Sequence, residues 1–249
     1  MKSAQPGPNM DRKSPWGEGF HGWNIECSAM ATKYLGPRFD IQGGGMDLLF
    51  PHHESEIAQS TICNNMQPAK YWMHNNMITV NGKKMGKSYN NQIKLTEMFS
   101  GDHPLLTQAF EPMTIRFFIL QTQYRSTLDF SSEALVASDK GLKRLWEAFT
   151  ILKSLEVDKD WLAQDQELDD KINKLIDEFE EFMNDYFNTV KVLSNMFEIV
   201  PVINSLKDKL ISIDAISSAT LHRMKESFST YLVDVFGLTD GSAFNETLN

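Results

Sequence analysis

Three residue types suited to a soft divalent cation lie near the start of this 249-residue chain: Cys27, His52 and Glu56. His52 and Glu56 are four positions apart, so on a helix they share one face and reach the same ion. Cys27 lies well upstream, where the fold would have to bring it in as a third ligand. Thiolate, imidazole and carboxylate are zinc's ligand types, and three protein ligands leave one position for a fourth group. A plainer reading also fits. A His and a Glu four apart are common on helices, and a lone cysteine is often a small core hydrophobe. Spacing alone leaves both open.

The elements around these residues form a recognisable grammar. Residues 24–35 have helical spacing and stop at Gly36-Pro37. FDIQ (39–42) reads as a short buried strand running into Gly43-Gly44-Gly45, with a second helix beginning near Pro51. Residues 71–85 have strand character, with Asn81-Gly82 as a turn. Strand, glycine-rich turn, helix, strand predicts a parallel α/β sheet with its sites at the strand ends. From about residue 94 the pattern becomes helical. Leu135, Leu142, Leu145, Trp146, Phe149 and Leu152 recur at helical intervals, and 167–208 and 217–236 repeat the habit. Between Gly141 and Gly237 there is no glycine and one proline, Pro201, which favours an up-and-down helix bundle. Its aromatic stripe, Phe179, Phe182, Tyr186 and Phe197, reads as core.

Composition excludes several classes. No run of about 18 apolar residues exists, so no membrane span is expected. MKSAQPGPNM lacks the apolar stretch of a secretory signal. Two cysteines, Cys27 and Cys63, make no disulfide framework and read as reduced cytosolic thiols. Net charge is −9, divided as +1 over residues 1–130 and −10 over 131–249. A broad basic face for nucleic acid is therefore absent, and an RNA partner would be met by local patches.

The words SPWGEGF, GWNIECSAM, FDIQGGGMDLLFPHHESEIAQS and NGKKMGKSYNN, in that order and spacing, resemble cysteinyl-tRNA synthetases, a class I aminoacyl-tRNA synthetase family. The likeness continues through 111–135 and 182–204. It implies an α/β plus α fold: the C-terminal half of a Rossmann-like catalytic domain over 14–92, a connecting stem over 93–130 and a helical bundle over 131–238, with tails at 1–13 and 239–249. It implies ATP-dependent activation of cysteine to cysteinyl-adenylate and transfer to tRNA(Cys), by a cytoplasmic, monomeric enzyme with ATP and magnesium as substrate.

Site residues come from the same match. Cys27, His52 and Glu56 correspond to zinc ligands that hold the cysteine sulfur, a bond that separates thiol from hydroxyl better than a hydrophobic pocket can. Trp23 matches the aromatic residue of the cysteine pocket, with Asn24 beside it. Gly43, Gly44, Gly45 and Asp47 match the segment that approaches the nucleotide, where glycines permit close backbone contact and a carboxylate accepts from ribose. Lys84-Met85-Gly86-Lys87-Ser88 matches the KMSKS word. Lys84 and Lys87 would neutralise charge on the α-phosphate and leaving pyrophosphate, with Lys87 and Ser88 on the ATP.

The departures are specific. His21 stands where proline is usual, Asn24 and Gln42 where histidines are usual, and Gly86 where the first serine is usual. No HIGH word, no fourth zinc cysteine and no anticodon-reading portion after Leu238 can be found. The expectation is a fragment, inactive in isolation. Two further readings are a ligase joining cysteine to an amino sugar, as in mycothiol synthesis, and a non-catalytic homologue that binds zinc or a partner.

Overall fold

The structure is a computed structural model that describes residues 2–3, 12–15, 17–156 and 159–240. It divides into two compact units. One runs to Met77 and includes Tyr124–Ser126; the other comprises Ile78–Gln123 and the chain from Thr127 onward. Ile78–Val80 pairs with Leu128–Phe130 and so belongs to the second unit.

In the first unit, the segment read as a tail over 1–13 carries two short strands. β1 (Lys2–Ser3) and β2 (Arg12–Ser14) both run antiparallel to β3 (Gly17–Phe20). These residues show no apolar alternation, so the backbone pairing leaves no mark in the side-chain pattern. Of the tail read over 239–249, residues 241–249 lie outside the described residues. Helix α1 (Trp23–Leu35) stops at Gly36, whose φ of 92° suits glycine and whose N–H donates to Thr32 O at 3.2 Å.

Strand β4 (Phe39–Gly45) lies parallel to β5 (Ala69–Asn75), with Gln42 opposite Trp72 and Gly44 opposite His74. The crossover passes through a turn of helix at Met46–Leu48, a wider turn at Leu49–His53 and helix α2 (Glu54–Asn64). The parallel unit is the one expected, with one correction. Gly43–Gly45 prolong the strand, and the chain turns only at Met46. A packing reason explains Gly44: a Cβ there would come 2.6 Å from His53 Cε1. Ser28 Oγ donates to Gln59 Oε1 at 2.9 Å, and Asn64 Nδ2 to Thr32 Oγ1 at 3.3 Å, tying α1 to α2. Apolar burial is scant here. Among the described residues of this unit the buried apolar side chains are those of Pro68 and Ala69, while Tyr34 and Phe50 are 72% and 76% exposed.

The second unit has the core. Strands β6 (Ile78–Val80) and β7 (Lys83–Lys84) form a hairpin through Asn81-Gly82, whose φ values of 49° and 75° are those a two-residue hairpin turn requires. Strand β8 (Leu128–Phe130) lies parallel to β6 and interrupts the helical pattern read from residue 94. Three residues are too few for alternation to reveal. Helices α3 (Leu95–Ser100) and α4 (Pro112–Leu120) pack Met98, Ile115 and Phe118 against Val80, Phe130 and Leu135.

Four helices then form the bundle: α5 (Ser132–Ser154), α6 (Gln166–Asn184), α7 (Thr189–Lys207) and α8 (Ser218–Ser229). Each starts on a capping side chain, Ser131, Asp165, Asn188 or Ser217, that accepts a backbone N–H of the first turn. Phe149, Ile172, Phe179, Met196, Ile199 and Phe228 fill the interior. Phe182 and Phe197 pack beside it, as the stripe predicts. Tyr186 does not: α6 ends at Asn184, and Tyr186 sits in the following turn with φ 56° and 58% exposure.

Candidate metal and ligand site

Three elements of the first unit converge on one point. Cys27 projects from the first turns of α1, His52 from the turn before α2, and Glu56 from the first turn of α2. Their sulfur, nitrogen and oxygen ligand atoms all lie within 4.8 Å of one another. A cation with bonds of about 2.0–2.3 Å spans such a group after small side-chain rotations. Glu56 is 4% exposed. Its Oε1 stands 2.8 Å from His52 Nε2, yet this atom is buried with no hydrogen-bond partner. The pair is close without being aligned for a hydrogen bond, as expected of two atoms that share a third partner. Sulfur, imidazole and carboxylate donors suit zinc better than magnesium or calcium, so the residues fit the metal.

Burial shapes the protonation of the trio. It raises the Glu56 carboxyl above its ordinary value, against the opposing charge of His52 and contacts with Cys27 and His52. It also raises the Cys27 thiol, helped by the negative charge of Glu56. A divalent cation would reverse both, because it binds the deprotonated forms.

The Trp23 ring lies 4.5 Å from that of His52, centroid to centroid, so this aromatic residue does adjoin the trio. Asn24 follows it on α1, half-buried. Asp47 is exposed in the turn after the glycine strand, and its Oδ1 reaches back against Gly45. Three residues absent from the expected site, His53, Trp72 and His74, complete the layer. His53 is 3% exposed, and its Nδ1 lies 2.8 Å from His74 Nε2, with Trp72 at 5.2 Å. Burial, then the charges of His74 and His52, push His53 below the ordinary imidazole value. Trp72 and His74 are two apart on β5, on one face of the strand. That alternation, with the His52-His53 doublet, is the signal that could have found them.

Lys84, Lys87 and Ser88 belong to the second unit. Lys84 ends β7, and Lys87–Tyr89 form one turn of helix. Two side chains fasten this loop. Asn91 Oδ1 accepts the Gly86 N–H at 2.9 Å, and its Nδ2 donates to Lys84 O at 3.0 Å. Asp129 Oδ1 accepts from Thr79 Oγ1 at 2.6 Å and from the Gly82 N–H at 2.7 Å. Met85 packs against the apolar cluster below. Gly86 has φ −176°, extended backbone open to any residue, so the position does not demand glycine.

Comparisons with known proteins identify the family. The family described as tRNA synthetases class I (C) catalytic domain matches residues 1–140, and the DALR domain matches 178–240. The cysteine–tRNA ligase of Cytophaga hutchinsonii is 52% identical over 98% of this chain and 49% of its own length. That of Bacteroides fragilis is 51% identical over 96% of this chain and 47% of its own. The chain thus spans about half the length of the curated relatives it matches. A solved LeuRS of Agrobacterium radiobacter K84, in ternary complex with tRNA and LeuAMS, superposes with a TM-score of 0.63 at 15% identity. It covers 91% of this chain and 32% of the other, a likeness of fold.

Proposed function

Because the chain belongs to the class I (C) tRNA synthetase catalytic-domain family, we propose that it is part of a cysteine–tRNA ligase, the part that selects cysteine. The observation that carries this reading is the convergence of Cys27, His52 and Glu56 beside Trp23. Zinc, when bound, would supply a soft, positively charged partner for a thiolate sulfur. Trp23 and Asn24 would wall the amino-acid pocket, with Asn24 offering a neutral amide where an ionisable imidazole is usual. The backbone of Gly43–Gly45 would approach the nucleotide closely, and Asp47 would accept from its ribose. Lys84 and Lys87 would draw the phosphates of ATP–magnesium and stabilise charge on the departing pyrophosphate, with Ser88 donating beside them. Catalysis would be positioning and charge stabilisation, with no covalent enzyme intermediate.

In this reading residues 14–92 are catalytic-domain second half, 93–130 stem and 131–238 bundle, in a monomeric cytoplasmic enzyme that charges tRNA(Cys). No described helix is long and apolar enough to cross a membrane. The first unit, with Pro68 and Ala69 as its buried apolar residues among those described, needs a covering layer before its site is rigid. The 249-residue chain by itself is therefore expected to bind zinc without turning over. Cysteine-dependent ATP–pyrophosphate exchange would be assayed with the purified chain, alone and after co-expression with the unmatched part of the Cytophaga relative. Exchange only in the second case supports the proposal; exchange in neither, with zinc bound stoichiometrically, favours a non-catalytic metal-binding homologue. Asn24 and Gln42 motivate that second reading.

A further inference from the structure

Within the second unit, a cavity of about 670 Å³ opens between one face of α5, the start of α4, the end of α7 and residues 239–240. It shares no residue with the sites above, and its size is that of a pocket for a small organic molecule. Its apolar surface comes from Pro112, Met113, Leu142, Trp146 and Ile151. Trp146 is the wall's one aromatic residue, and its Nε1 is buried without a hydrogen-bond acceptor.

Charge around this surface is one-sided. Five carboxylates, on Glu111, Asp139, Glu147, Asp208 and Asp240, face two ammonium groups, on Lys143 and Lys207. Lys143 is already held by Asp139 at 2.6 Å, and Asp139 also accepts from Thr114 Oγ1 at 3.0 Å, so that pair is neutral and built in. What remains is Lys207 against Glu111, Glu147 and Asp208. The C-terminus of α7, at Lys207, adds the negative end of its dipole, while the N-terminus of α4 at Pro112 opposes it with Glu111 at its cap. The surrounding segment, residues 131–249, carries −10. An anion is repelled here, and a bare polyamine would leave the apolar floor wet.

We propose that this cavity binds an amphipathic organic cation: a flat apolar body against Trp146 and Met113, with an ammonium group toward Glu147 and Asp208. A positive group beside an indole face and unneutralised carboxylates gains from both. The apolar body is what distinguishes such a ligand from a counter-ion.

The test uses the purified 249-residue chain and three probes: tryptamine, 3-indolepropionate with the same ring and opposite charge, and spermidine with charge and no ring. Binding is followed by calorimetry at low salt and by the Trp146 indole N–H resonance, assigned from its loss in Trp146→Phe. Tryptamine is expected to saturate one site and shift that resonance, and 3-indolepropionate to do neither. Glu147→Gln/Asp208→Asn, both exposed positions, should weaken tryptamine about tenfold while leaving the fold intact by circular dichroism. Equal displacement by spermidine would reduce the cavity to a diffuse negative field and overturn the proposal. So would tryptamine binding that leaves the Trp146 signal unmoved, that the double variant does not weaken, or that does not occur at millimolar concentrations.

Discussion

Glu56→Gln separates a metal ligand from an acid that merely pairs with His52. Glutamine keeps the size of the side chain and one oxygen but removes the charge. If the buried His52–Glu56 pair were a structural ion pair, breaking it would cost the metal-free protein about 3–5 kcal/mol. The geometry argues otherwise. Oε1 lies 2.8 Å from His52 Nε2 without the alignment of a hydrogen bond, so what stands to be lost is chiefly the attraction of two charges, and burial outweighs that attraction by disfavouring the charged carboxyl. Metal-free stability should therefore change by less than about 1 kcal/mol. Zinc binding should suffer far more. Loss of an outer hydrogen-bond partner of a metal ligand costs about 10–100-fold in affinity, and loss of a ligand itself should reach at least the upper end. A 100-fold loss corresponds to about 2.7 kcal/mol of binding. Zinc affinity would be measured by competition with a chromophoric chelator, and metal-free stability by urea unfolding after chelation. An unchanged affinity would refute the ligand assignment. A metal-free loss of several kcal/mol would show that the carboxylate is structural.

Three further outcomes are expected from contacts in the second unit. Asn91→Ala removes both bonds that fasten Lys84–Gly86, each of about 0.5–1.5 kcal/mol, so tryptic cleavage in the lysine-bearing loop should quicken about tenfold; equal digestion would show that Met85 and Asp129 hold the loop without Asn91. Phe179→Ala empties a site that is 1% exposed and should cost about 3–5 kcal/mol in urea unfolding; a loss below about 1 kcal/mol would contradict the packing of α6 into the bundle. Asp129 is held below the ordinary carboxylate range by the Thr79 hydroxyl and then the Gly82 N–H, both of which bond its charged form. Its contribution to stability is therefore complete above the unfolded value and lost as pH falls through the lower folded one. The Gly82 amide resonance should report that low midpoint, and a midpoint at or above an ordinary aspartate's would disprove the bond.

What could be read from the chain depended on how each feature is encoded. The bundle was legible because α5 to α8 bury regular apolar stripes and no glycine occurs between Gly141 and Gly237, both local signals. Tyr186 was misplaced for the same reason: periodicity carries no mark of the point where α6 stops and the backbone turns to positive φ. Strand β8 has three residues and exists only because β6 pairs with it from fifty positions away in the chain. Such pairing is set by tertiary contact rather than by propensity.

The candidate site divides along the same line. Cys27, His52 and Glu56 announced themselves through residue types that share a chemistry. His53, Trp72 and His74 did not, since each is unremarkable until β4 and β5 are in register and Gly44 leaves room for the His53 ring. The glycine triplet, read as a turn and found as strand, shows how the two levels meet. Gly44 is small because the His53 ring lies against it, so the property that suggested nucleotide approach also serves the packing behind the metal trio. A side chain at position 44 should accordingly disturb zinc affinity through His53 and its neighbour His52, although Gly44 itself offers the ion no ligand.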